Sequence, residues 1–313
     1  MDASNSANAP SETHAIAPTG DVILVVGEEK TELRVHSVCM RTASEVFDAM
    51  LGPHFSEGQP SDGLRPMMIP MPDDNATAMA TICNVIHHRN DLLPDAPEPG
   101  ELVEIALAAD KYDFALALKY AMFQWLDFKA FDTFSNLGKL LIAAYVFDNS
   151  DAFRHATRRL ITDFTLSYLL LVDTKFSEII PSSIYYMLEN ARNRTRVSVQ
   201  EVLLPDVAPC CDHSSESLEF YIQVLQDNDL WGASLFAVPI DTLVRKTETT
   251  DQLNSLDDDE TRCTHRSPKQ NNQKTRYSKL KELTASAGLC LGCVRSGNID
   301  AKFPCDLDHK DEV

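Results

Sequence analysis

An α+β fold is predicted by the sequence: a short N-terminal β-sheet with helices clustered around it, then a mostly helical region, then a Cys/His-containing tail. Three observations predict it. Val22–Val26 is an unbroken apolar run and Thr31–Val35 alternates apolar with polar, as paired strands do. From Thr42 to about Leu225 apolar residues recur mainly at helical spacing, with few strand-like runs. Six of the eight cysteines lie in the last third, at Cys210, Cys211, Cys263, Cys290, Cys293 and Cys305.

The chain has 313 residues, enough for two packed units, and its 44% hydrophobic and 24% charged content is that of a globular protein. A net charge of -19 repels phosphate backbones and anionic lipid, which argues against nucleic acid or membrane as the main partner. Met1–Thr19 lacks a basic start and an apolar run, so no secretory leader is read there, and an intracellular location with reduced thiols is expected.

Residues 1–17 have little to bury and are expected to form a disordered arm. Val22–Val26 is read as a strand buried on both faces. Gly27–Lys30 turns the chain, and Thr31–Val35 returns with Leu33 and Val35 on one side, which makes a hairpin. Thr42 and Glu45 have capping-box spacing ahead of the stripe Val46, Phe47, Met50 and Leu51. Gly52-Pro53 ends that helix. A short strand is expected at Met67–Ile69, with Pro66 marking an edge. Asp73, Asp74 and Asn75 are cap residues for a helix carrying Met79, Ile82, Cys83 and Ile86. After a Pro-rich loop at Pro94–Gly100, Leu102–Ala109 and Phe114–Leu126 read as helices joined at Asp110–Asp113.

This order resembles the BTB/POZ domain over residues 18–126. The matching residues are Gly20-Asp21-Val22 at the first strand, Val35-His36 entering the first helix, Ser44–Leu51 at the second, and Leu107–Phe114 at the joint of the last two. The resemblance makes Asp21 and His36 fold-signature residues. It implies a non-enzymatic protein-interaction module that forms homodimers or docks partners. In the family a lysine usually follows the histidine, and some members recruit transcriptional corepressors through a charged pocket there; here Ser37 stands in its place. Cullin-binding members carry an apolar residue, any residue, then Glu after the second helix. Phe55-Ser-Glu57 occupies that place, which implies a substrate adaptor of a cullin-type ubiquitin ligase with Phe55 and Glu57 at the partner face.

Residues 129–230 continue with the stripes Leu137, Leu140, Leu141, Ala144, Tyr145 and Phe153, Leu160, Ile161, Phe164, and with a helix after Pro181. They are read as a helical companion region, which many BTB proteins carry. From 242 to 313 the composition turns polar: an acidic run at Asp257–Glu260, then seven Lys or Arg and no acid between Arg262 and Lys281. With its Gly-Leu-Cys-x-x-Cys, this layout is similar to BTB proteins of filamentous fungi.

Within that tail, Cys263, His265, Cys290 and Cys293 make a Cys₃His set in two close pairs, the donor chemistry of one structural zinc. Cys305 with His309 and Cys211 with His213 are competing donors. Four unconnected reduced thiols are the plain alternative. A transcription-associated regulator with a small zinc module is thus the second functional reading. The basic stretch has Tyr277 as its one aromatic and so lacks a stacking platform for bases. No phosphate loop, nucleophile elbow or His-Glu-x-x-His is present, and adjacent His87 and His88 diverge on a helix, so no enzyme is expected.

Overall fold

In the computed structural model, residues 13–52, 65–126, 131–172, 178–204, 214–250 and 273–298 are described, together with Cys305. Strands β1 (Thr13–Ala15), β2 (Val22–Val26), β3 (Thr31–Val35) and β4 (Met67–Met71) form a sheet in the order β1-β3-β2-β4. The β2–β3 hairpin is antiparallel, with Val22 opposite Val35 and Leu24 opposite Leu33. Both edge strands run parallel to their neighbours.

Period-2 alternation puts Val22, Leu24, Val26, Leu33, Val35, Ile69 and Met71 on one face, and all seven are buried. The opposite face differs from the expectation of a strand covered on both sides. Ile23 and Val25 are only half-buried there, because their cross-strand neighbours are Arg34 and Glu32 on β3 and the exposed Met68 and Pro70 on β4. Proline is tolerated within β4 because an edge strand leaves its missing N–H unneeded. The strand therefore runs on through Pro70 to Met71.

Two glycines set the hairpin. Gly27 takes the left-handed conformation, with φ 73°, at the turn. At Gly20 a Cβ would lie 2.3 Å from the Val35 carbonyl oxygen. The expected disordered arm differs at its end: residues 13–15 are β1, and Ile16 and Ala17 are buried. The sheet so extends past the start expected at residue 18, because a three-residue parallel edge strand has too little alternation to read.

Helices α1 (Ser37–Ala43) and α2 (Glu45–Met50) follow β3 directly. Thr42 lies inside α1, and the cap of α2 is Ser44, whose hydroxyl accepts the Phe47 N–H at 2.9 Å. Helix α3 (Ala76–Ile86) is capped by Asn75 as read, and buries Met79, Ile82 and Cys83. Helix α4 (Pro99–Lys111) starts within the expected loop, Pro99 being suited to a first turn. Asp113, at φ 54°, ends it, and α5 (Lys119–Trp125) follows. These elements belong to the first of two units, Met1–Phe131.

The second unit, Asp132–Val313, is helical in its described residues. Helices α6 (Phe134–Val146) and α7 (Ser150–Thr162) pack side by side, α8 (Leu169–Val172) is one turn, and α9 (Ser183–Leu203) is the long helix against which α7 and others pack. Next come α10 (Ser214–Asp227), α11 (Ser234–Ala237) and α12 (Ile240–Thr249), then α13 (Gln273–Ala285) and α14 (Leu291–Arg295).

The polar tail expected from 242 is, in its described residues, largely helical and packed. Helix α13 lies on α9, α7 and α12. Its buried side chains are Gln273, Arg276 and Leu280, two of them polar. Gln273 donates to the Thr247 and Glu248 carbonyls at 3.1 and 2.6 Å, at the end of α12. The Arg276 guanidinium sits 5.1 Å from the centre of the Tyr221 ring. No helix among the described residues is long and apolar enough to cross a membrane.

Candidate functional site

In the first unit the residues that carried the resemblance meet one another. Both carboxylate oxygens of Asp21 cap the start of α1, accepting the Ser37 N–H at 2.8 Å and its hydroxyl at 2.5 Å. Burial by itself raises the Asp21 carboxyl, but the Ser37 hydrogen bonds outweigh it and hold the group below the usual carboxylate value. Ser37, at the position where the resemblance implies a lysine, thus ties the start of α1 to Asp21.

The His36 backbone N–H donates to His87 Nε2 at 2.9 Å, and the His87 Nδ1–H donates to the Cys83 carbonyl at 2.8 Å. These two bonds fix the neutral tautomer of His87. Its burial also keeps it below the ordinary histidine value. His87 is therefore a partner of the fold signature, a role that its place at the end of α3 does not announce in sequence.

Elsewhere in the first unit, Phe47 packs against Tyr112 and Phe114, with ring centres 5.3 and 5.4 Å apart. The Tyr112 hydroxyl donates to Asp74 at 2.6 Å, and Lys111 reaches the same carboxylate at 2.7 Å. Burial and the Asp74 bond push the Tyr112 phenol up to about 12. Phe55 and Glu57, named as the partner face, lie outside the described residues.

In the second unit, Cys290, Cys293 and Cys305 come together. Their sulfurs all lie within 4.8 Å of one another, and Cys293 Sγ is 3.3 Å from Cys305 Sγ. Cys290 caps α14 and Cys293 sits in its first turn, so the Cys-x-x-Cys spacing turns both sulfurs the same way. Cys293 is fully buried and Cys290 nearly so. Burial raises the Cys290 thiol, yet the N–H groups of Cys293 and Gly292 and the neighbouring thiols favour its thiolate and bring it below an ordinary thiol. Burial pushes Cys293 up to about 12, helped by the charge on its neighbours.

Two of the four expected metal ligands, Cys263 and His265, lie outside the described residues. The third sulfur in the cluster is Cys305, read from sequence only as a competing donor. The signal that favours it is its nearness in sequence, twelve residues beyond Cys293. Three thiols at these separations are close enough to hold a metal ion. For a tetrahedral ion with bonds of about 2.3 Å to sulfur, neighbouring sulfurs stand roughly 3.8 Å apart, within the span seen here. The donor set therefore fits zinc.

Elsewhere in this unit a small cavity of about 10 Å³ is lined by Ser135, Gly138, Leu141, Leu171, Lys139 and Tyr185, among others. Its lining holds no carboxylate, histidine or cysteine. No family model matches this chain, and neither does any curated protein or solved structure.

Proposed function

We propose that the chain is a non-enzymatic, intracellular protein-interaction protein whose first unit is a BTB/POZ-type module. The observation that carries the reading is that the sequence-distant motifs meet in two pairs: Asp21 bonds Ser37, the residue next to Val35-His36, while Ser44 and Phe47 meet Tyr112 and Phe114. A second feature supports it. Leu116, in the turn before α5, and Tyr120 and Phe123, on α5, are each more than four-fifths exposed, an apolar patch of the kind that binds other proteins. The module self-associates as a homodimer or docks partners, and its concrete mechanism is substrate adaptation for a cullin-type ligase. Cullin capture by the purified full chain, lost in Phe55→Ala, is the expected result. Absence of capture by the wild type removes the adaptor mechanism and leaves the interaction module to be tested by its self-association.

The three-thiol cluster favours a further part of the reading, one structural zinc ion in the second unit. The ion would be structural because three thiolates hold it on a docked helix and, among the described residues, no carboxylate or histidine joins the cluster. Zinc analysis of the purified full chain tests this, with near-stoichiometric metal expected.

A further inference from the structure

We infer that the zinc ligands are Cys290, Cys293 and Cys305, and that the ion fastens residue 305 onto a platform the helical unit presents already built. This rests on the zinc reading above and adds to it which residues bind and what the metal does.

The platform is held by contacts that need no metal. A Cβ on Gly288 would lie 2.4 Å from the Arg154 carbonyl oxygen, so the chain passes α7 at a distance that glycine permits. The Leu289 N–H donates to the buried Thr157 hydroxyl at 2.9 Å, and that hydroxyl in turn donates to the Phe153 carbonyl at 2.8 Å. Leu289, Leu291 and Val294 are buried. Arg295 closes the far end of α14, donating to the Tyr145 carbonyl at 2.8 Å and pairing with Asp148 at 3.2 Å.

Cys290 and Cys293 stand between these anchors. Two sulfurs are therefore placed before any ion arrives, which lowers the ordering cost of binding. The third comes from twelve residues on and already lies 3.3 Å from Cys293, a separation the ion's own bonds would set at roughly 3.8 Å. Binding converts three thiols to thiolates and releases their protons to solvent, leaving the fourth position to a donor from outside the trio. A soft or borderline cation is required, since all three donors are sulfur.

The test uses the full chain purified under reducing conditions. Zinc content is measured for the wild type, for Cys305→Ser, and for the double variant Cys263→Ser with His265→Ala. Amide exchange around α14 and residue 305 is followed with and without chelator. About one zinc per chain is expected in the wild type and the double variant, with most of it lost in Cys305→Ser. Chelation should raise exchange near residue 305 and leave the Leu289 and Val294 amides protected. Cobalt substitution reads thiolate charge-transfer bands directly and covers a variant that folds poorly.

A protein without zinc overturns both this inference and the zinc reading. Zinc that is kept by Cys305→Ser and lost by the double variant overturns the ligand set alone. Loss of Leu289 protection on chelation overturns the preformed platform, and a Cys293–Cys305 disulfide in the reduced preparation overturns the metal site.

Discussion

The Ser44 hydroxyl joins two parts of the chain 68 positions apart, donating to the Tyr112 carbonyl at 2.5 Å while accepting the Phe47 N–H at 2.9 Å. One buried oxygen so caps α2 and satisfies a carbonyl at the end of α4. Ser44→Ala removes both bonds and leaves a buried carbonyl unpaired, at a cost of about 1–3 kcal/mol. Chemical denaturation of the full chain should show that loss in the transition assigned to the first unit. An unchanged midpoint would contradict the role given to Ser44.

Much of the first unit was legible because local pattern and final packing agree. The alternation of Thr31–Val35 and the apolar stripe on Met79, Ile82 and Cys83 each map onto a buried face. Where reading failed, the determinant was not local. Capping-box spacing points to Thr42, whereas the cap is Ser44, whose hydroxyl also bonds the distant Tyr112 carbonyl. Helix α13 buries Gln273 and Arg276 beside Leu280 and so shows no apolar stripe to find. Its fit depends on carbonyls at the end of α12 and on the Tyr221 ring. Cys305 joins Cys290 and Cys293 in space, while spacing alone ranked the pair Cys263 and His265 first.

Asp21 and Ser37 should behave as a coupled pair. Because the folded Asp21 carboxyl lies below its unfolded value, the pair stabilises the fold above the unfolded value near 3.8 and loses that contribution as pH falls through the folded one. Asp21 is partly open to solvent, so screening limits the contribution to roughly 0.5–1 kcal/mol. A double-mutant cycle with Asp21→Asn and Ser37→Ala at neutral pH should give a coupling of that size, and strictly additive effects would argue against the bond.

His155 makes the second unit sensitive to mild acid. Its burial and the positive charges of Arg158 and Arg159 bring it from 6.5 down to about 4. The unfolded chain therefore takes up a proton first, and stability falls as pH drops from about 6.5 towards 4, then levels off. Allowing for its partial exposure, the fall attributable to this one side chain is on the order of 1 kcal/mol. In thermal melts across this range, wild type should lose stability relative to His155→Gln as pH falls, by about that amount. A constant difference between them would contradict the assignment.

Gly288 and Gly100 offer a matched pair of substitutions. Alanine at 288 forces its Cβ into the Arg154 carbonyl, while alanine at 100 meets nothing within 4 Å. Gly288→Ala should destabilise the second unit by about 1–3 kcal/mol, whereas Gly100→Ala, in the first turn of α4, should be neutral or mildly stabilising. Equal midpoints for the two variants would show that the close passage of residue 288 along α7 is not required.

Self-association is the property on which the interaction reading turns. Size-exclusion chromatography with light scattering on the full chain, over a micromolar concentration series, measures it. A mass near twice the 34.9 kDa of one chain is the expected result, and a strict monomer throughout the series would contradict a dimer-forming BTB/POZ-type module.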